Sequence, residues 1–158
     1  MEKPVRSLII RAILQEAISF EERSYRFYEK ALVHIASGDA KTVLEKLLSQ
    51  ELSHRLLLEE VQKTVDLGLF GSEADEEGKA ADAIKKPLRA IPPGATKLQI
   101  METALEKELR AVGFYDSMAE RSRLRSVRRV FRKLAREEAG HVRLLRVQMA
   151  KDTGGSRE

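Results

Sequence analysis

Three features of this sequence predict an all-α fold, an antiparallel four-helix bundle built from two helical hairpins joined by a long crossover. Apolar residues recur at helical spacing through four segments. Helix-forming Ala, Leu, Glu, Lys and Arg dominate, with only four prolines and nine glycines among 158 residues. Short turns separate the first segment from the second and the third from the fourth, whereas residues 68–95 form one long connection between the pairs.

The first helix is expected over 5–37, with Ile10, Ile13, Leu14, Ala17, Tyr25, Tyr28 and Leu32 on one stripe. Gly38-Asp39 breaks it, and Asp39 is placed to cap the next helix. That helix covers 40–67, with Leu44, Leu47, Leu58, Val61 and Val65 facing inward. The third follows the breaker Pro92-Pro93-Gly94 and covers 96–120, with Met101, Leu105, Val112, Tyr115 and Ala119. The fourth covers 124–151, with Val127, Phe131, Leu134, Leu145 and Met149, and the tail DTGGSRE should be frayed. Each hairpin has a short turn, so its helices run antiparallel. A helix of this length spans roughly 40 Å. The crossover, extended, reaches roughly 90 Å and can run back along the bundle. Within it, Ser72-Glu73-Ala74-Asp75 resembles a capping box opening a short helix that ends before Pro87.

The length suits one domain, 1–158. A hydrophobic fraction of 42% beside 34% charged residues excludes a disordered chain. The longest uncharged run, Ala31 to Gly38, is too short to span a bilayer, so no membrane is expected. Arg11 interrupts the apolar N-terminal stretch, which reads as a helix start and not as a signal peptide. Cysteine is absent, which excludes disulfides, thiolate metal sites and iron–sulfur clusters. A metal must then sit on carboxylates and imidazoles, a donor set that suits iron, manganese or zinc.

The net charge of +4 is uneven, because residues 1–79 hold 11 basic and 15 acidic side chains and residues 80–158 hold 18 and 10. Much of the excess lies in RSRLRSVRRVFRKLAR, Arg121 to Arg136. That run reads either as the solvated face of an amphipathic helix or as a docking patch for an acidic partner. Few aromatics accompany it, so nucleic acid is not expected.

The strongest signal is internal. Glu21 and Glu108 lie 87 positions apart, and the same shift places Phe27 on Phe114, Tyr28 on Tyr115, Leu47 on Leu134, Glu51 on Glu138 and His54 on His141. Each half thus has a Glu, a Tyr seven residues on, and an ExxH further along: EERSYRFY with ELSH, and ELRAVGFY with EAGH. A Glu and a His three apart lie on neighbouring turns of one helix face, so both can reach one ion. One turn cannot complete a coordination shell, and facing helices must supply the rest. Two ExxH helices and two single-Glu helices give four carboxylates and two imidazoles, the ligand set of two-metal carboxylate bundles. The candidate ligands are therefore Glu21, Glu51, His54, Glu108, Glu138 and His141. All six interrupt apolar stripes, and ionisable groups aimed at a core must pair or bind metal. Tyr28 and Tyr115 share a face with the single glutamates; they are either hydroxyl donors to ligand carboxylates or core aromatics with a satisfied hydroxyl. His34 lies elsewhere around its helix and is expected at the surface, and Glu22, Glu106 and Glu137 are expected to be solvated.

These residues resemble the ferritin-like superfamily, and above all the di-iron domain of rubrerythrin. The resemblance covers nearly the whole chain. It implies two iron ions, with Glu21, Glu108, His54 and His141 as terminal ligands and Glu51 and Glu138 as bridging carboxylates. It also implies an oxidoreductase that reduces peroxide or dioxygen. Rubrerythrins carry a four-cysteine rubredoxin-like domain that delivers electrons, and this chain has none, so an external donor is implied. Ala111 stands where they have an additional glutamate. Bacterioferritin resembles the site equally well, which makes iron storage with ferroxidase activity the alternative. The expected partners are peroxide or dioxygen and an acidic electron-transfer protein. A homodimer and a cytoplasmic location are expected.

Overall fold

A computed structural model describes residues 3–66, 84–122 and 125–155. Four helices account for most of them: α1 (Lys3–His34), α2 (Asp39–Asp66), α3 (Lys97–Arg121) and α4 (Arg125–Gly154). α1 packs on α2 and α3 on α4 as the two expected hairpins, while α2 lies against α4 and α1 against α3. Among the described residues no helix is long and apolar enough to cross a membrane.

Helix ends differ from expectation where local chemistry decides them. α1 stops at His34, three residues early. Gly38, at φ 92°, takes the left-handed conformation that lets the chain reverse. Its carbonyl accepts from the Thr42 N–H at 3.3 Å, so Asp39 is the first residue of α2 and not its cap. Ahead of α3, Gly94 at φ 73° occupies the third position of the turn closed by Ala95 N–H donating to the Pro92 carbonyl at 3.1 Å. Thr96 then caps α3: its hydroxyl accepts from the Gln99 N–H at 3.2 Å, and the Gln99 side chain accepts from the Thr96 N–H at 2.9 Å. The tail is less frayed than expected. α4 continues to Gly154 because Asp152 pairs with Lys97 at 3.0 Å and accepts from Gln148 at 3.0 Å. Thr153 also bonds back to the Met149 and Ala150 carbonyls. Of the expected helix after Ser72 only the end lies among the described residues, where 84–85 are helical and the chain leaves the helix before Pro87.

Two apolar clusters fill the bundle, one toward each end. The first joins Ile10, Ile13, Leu14, Ala17 and Phe20 of α1 to Leu58, Val61 and Val65 of α2, Ala111, Phe114, Tyr115 and Met118 of α3, and Val127, Phe131 and Leu134 of α4. The second joins Phe27, Tyr28, Ala31 and Ile35 to Leu44 and Leu47, Ile100, Met101 and Ala104, and Leu145. Burying a Leu, Ile or Phe side chain stabilises by about 1.5–3 kcal/mol, so these clusters hold the helices together. α2 therefore ends beside the first cluster and α3 begins beside the second, so the connection must travel the length of the bundle. Its described part does so. Ile84 is fully buried in the first cluster, and Leu88 touches both. Arg23 and Arg110 hold it by donating to the carbonyls of Ile84 at 2.9 Å and Lys86 at 2.6 Å.

The buried stripes depart from expectation at three places. Tyr25 and Leu32 are only half-buried, and Ser24 takes an inward position on α1. On α3, Leu105 and Val112 are half-buried, and the inward stripe runs through Ala104, Lys107, Glu108, Ala111, Phe114 and Met118. On α4, Met149 is half-buried beside the fully inward Leu145 and Gln148.

Candidate metal centre

Between the two apolar clusters every helix carries ionisable side chains inward at the same level. α1 contributes Glu21, α2 Glu51 and His54, α3 Lys107 and Glu108, and α4 Glu138 and His141. The four glutamates are 0% exposed and the two histidines 2%. In each ExxH the three-residue spacing stacks both side chains on one inward face, and the leucines on either side, Leu47 with Leu58 and Leu134 with Leu145, fix that face. The structure brings all six residues named from the sequence together.

They form two overlapping groups. Glu21, Glu51, His54 and Glu138 each offer one donor atom within 4.8 Å of the others, as do Glu51, Glu108, Glu138 and His141. Glu51 and Glu138 belong to both. Glu138 lies between the histidines, with Oε1 2.8 Å from His54 Nδ1 and Oε2 2.9 Å from His141 Nδ1. The imidazoles stack nearly parallel, with centroids 5.4 Å apart. His54 Nδ1 also lies 3.7 Å from Glu21, and His141 Nδ1 lies 3.4 Å from Glu108 and 3.5 Å from Glu51.

Proximity here is not hydrogen bonding. One oxygen each of Glu21, Glu51 and Glu108, both oxygens of Glu138, and the Nδ1 atoms of both histidines are buried with no correctly aligned hydrogen-bond partner. Buried polar atoms are ordinarily satisfied. A convergent set of carboxylate oxygens and imidazole nitrogens that lacks partners is what a cation satisfies, and this set suits a transition metal. The donor set therefore fits a metal centre.

Surrounding groups orient the donors. Tyr28 of α1 donates its hydroxyl to Glu108 of α3, and Tyr115 of α3 donates to Glu21 of α1, a reciprocal pair across the bundle. Burial, then the neighbouring carboxylates, raise both phenol pKa values well above their usual range, so both remain donors. On its outer side, His54 Nε2 lies 3.0 Å from Glu137, which accepts from Lys133 at 2.7 Å. Glu137 is thus not merely solvated, as expected from its place beside Glu138, but fixes the His54 ring. Glu22 is likewise engaged, by Arg55 and by Arg26 at 2.9 Å, and Glu106 pairs with Arg89 at 3.4 Å. His34 is exposed.

Lys107 was not singled out from the sequence. Its side chain is 2% exposed, with Nζ 3.0 Å from Glu108 and 3.3 Å from Glu51. The signal was present in the run Ala104, Lys107, Ala111, Phe114 and Met118, whose three- and four-residue steps place the lysine on the buried stripe.

The electrostatics follow from placing four carboxylates and three cationic groups in one dry layer. Burial opposes charging His54 and His141, but the carboxylates around them outweigh it and push their pKa values up to about 11 and about 12. Burial pushes Glu51 up to about 8, against the pull of Lys107, and Glu138 up to about 7. Glu108 is held well below the usual carboxylate range despite its burial, chiefly by Lys107 and His141. Lys107 itself is raised, because the carboxylates overcome the desolvation that would lower it. Protons on the imidazoles thus stand where metal charge would stand.

Two depressions mark the surface along α4, and one of them reaches the site. One, of about 410 Å³, is lined by Lys46, Gln50, Glu137, Gly140 and Arg143 and reaches His141. The other, of about 360 Å³, is lined by Arg125, Arg128, Arg129, Arg132 and Arg136 of α4.

No curated protein and no solved structure matches this chain. The family model described as Rubrerythrin matches residues 99–158. That segment holds nearly all of α3 and α4 with Glu108, Glu138 and His141, whereas Glu21, Glu51 and His54 lie outside it and correspond to them through the internal repeat. Over the matched segment this chain is similar to rubrerythrins, as expected of a four-helix bundle with a buried carboxylate and histidine cluster able to bind metal.

Proposed function

We propose that this protein is a di-iron carboxylate oxidoreductase. It binds two iron ions on Glu21, Glu51, His54, Glu108, Glu138 and His141, and it reduces peroxide or dioxygen with electrons from a separate acidic donor protein. The observation that carries the reading is the sharing of Glu51 and Glu138 by two otherwise distinct donor groups, which suits two ions held side by side. Bound iron supplies the electrons passed to the oxidant. Four ionised carboxylates offset the charge of two divalent ions. Tyr28 and Tyr115 keep Glu108 and Glu21 aimed inward, and Glu137 holds the His54 ring by its outer nitrogen. The apolar clusters above and below exclude water. The depression at His141 is wide enough to admit a small oxidant. None of the five arginines lining the second depression forms an ion pair among the described residues, which leaves that face matched to a carboxylate-rich partner.

Anaerobic reconstitution with Fe(II), followed by metal analysis and stopped-flow mixing with peroxide or air-saturated buffer, tests the reading. About two irons per chain are expected, reoxidised faster by peroxide than by dioxygen, with the protein soluble throughout. Retention of tens of irons per chain in a large particle would instead establish iron storage with ferroxidase activity. No bound metal would remove the site assignment.

A further inference from the structure

One member of the polar layer breaks its symmetry. The internal repeat pairs Glu21 with Glu108, Tyr28 with Tyr115, Glu51 with Glu138 and His54 with His141, but the counterpart of Lys107 is Phe20. The lysine is fully enclosed. Its Nζ lies 3.0 Å from Glu108 Oε1, 3.3 Å from Glu51 Oε1, 4.7 Å from the centre of the Tyr28 ring and 5.9 Å from that of Phe20. Two carboxylates and two aromatic faces thus replace the water that a buried ammonium loses. Glu108 belongs only to the group around His141, and Glu51 is common to both groups. The ammonium therefore bears directly on one of the two metal positions. It holds the Oε1 atoms of Glu51 and Glu108, whose Oε2 atoms stay without partners, and it repels an ion there at close range in a medium of low dielectric.

We propose that Lys107 is a resident cation that makes the two metal positions unequal. The position built from Glu21, Glu51, His54 and Glu138 fills first and holds its ion tightly. The position built from Glu51, Glu108, Glu138 and His141 fills second and holds its ion weakly. The weak position is also the one whose histidine lines the open depression, so its ion exchanges with solution while the other stays. This inference rests on the two-metal reading of the site.

Titration of the metal-free full chain with Co(II), under nitrogen, tests it by calorimetry and by the visible absorption of the bound ion. The wild type should show two steps separated by at least about tenfold in affinity. Lys107→Met should tighten the second step and bring the two within about threefold. His141→Ala should keep the tight step at its wild-type affinity and lose the weak one, while His54→Ala should keep only a weak step. Two wild-type steps of equal affinity, an unchanged gap in Lys107→Met, or a tight step surviving in His54→Ala would each overturn the inference and leave the site standing. Absence of any Co(II) binding would overturn the site and the inference together. Should Lys107→Met fail to fold, Lys107→Gln, which removes the charge and keeps a polar head beside Glu51 and Glu108, takes its place with the same expected narrowing of the gap.

Discussion

Replacing Glu138 by Gln is the sharpest test of how the donor groups share their members. The amide keeps the volume of a side chain that is fully buried but loses the negative charge and one acceptor oxygen. Glu138 belongs to both groups and has one oxygen within 2.9 Å of each histidine. Glu21 belongs to one group only. Losing a residue that merely orients a metal ligand costs about 10–100-fold in affinity. Glu138 is itself a donor at both positions, so at least about 100-fold, or about 2.8 kcal/mol, is expected at each. Metal content at a fixed micromolar concentration of Fe(II) should therefore fall from about two per chain to under one in Glu138→Gln, and to about one in Glu21→Gln. Helix content by circular dichroism should stay unchanged in both, because the apolar clusters and not the polar layer hold the bundle. Metal analysis after anaerobic equilibrium dialysis against that Fe(II) concentration reads the ratio. Equal losses in the two variants, or two ions retained by Glu138→Gln, would refute the shared arrangement.

Three further outcomes are expected. Metal-free protein should lose stability as pH rises from about 5 toward 12, because Glu51 and Glu138, raised to about 8 and about 7, and His54 and His141, raised to about 11 and about 12, all bind protons more tightly folded than unfolded. Glu108, lowered on folding, withdraws its contribution only below the usual carboxylate range; thermal melts across pH, with and without metal, check the sign, since metal competes with these protons and should reverse it. Tyr115→Phe removes the hydroxyl that donates to Glu21 and should cost about 1.5–3 kcal/mol in a denaturant titration, the usual worth of a hydrogen bond to a charged group. Arg129→Glu with Arg132→Glu should slow reduction by an acidic donor and flatten its dependence on ionic strength, whereas a wild-type rate indifferent to salt would return the arginine face to plain solvation.

The six candidate donors were legible because their constraint is local. A metal-binding Glu and His must share a helix face at three-residue spacing and must interrupt an apolar stripe, and both marks survive in a linear sequence. The repeat supplied the rest, since Glu51-His54 and Glu138-His141 each lie at a fixed distance from Glu21 and Glu108. Long-range electrostatics left no such mark. Lys107 reads as one more helical lysine until Glu51, from another hairpin, comes within 3.3 Å of it. Glu137 reads as a solvated neighbour of Glu138 until α2 brings His54 against it. Helix ends were missed by a few residues, at α1 where Gly38 reverses the chain and at α4 where the Asp152–Lys97 pair carries the helix past its expected stop.

Each donor group draws on both hairpins. Glu21, Glu51 and His54 of the first meet Glu138 of the second, and Glu108, Glu138 and His141 of the second meet Glu51 of the first. An ion in either group is therefore a clasp between two halves that otherwise meet through side-chain packing and a connection running the length of the molecule. The free energy of binding appears as resistance to parting the hairpins. Amide exchange at the centre of all four helices should slow together when metal enters, while the ends, beyond the reach of the clasp, keep their own pace.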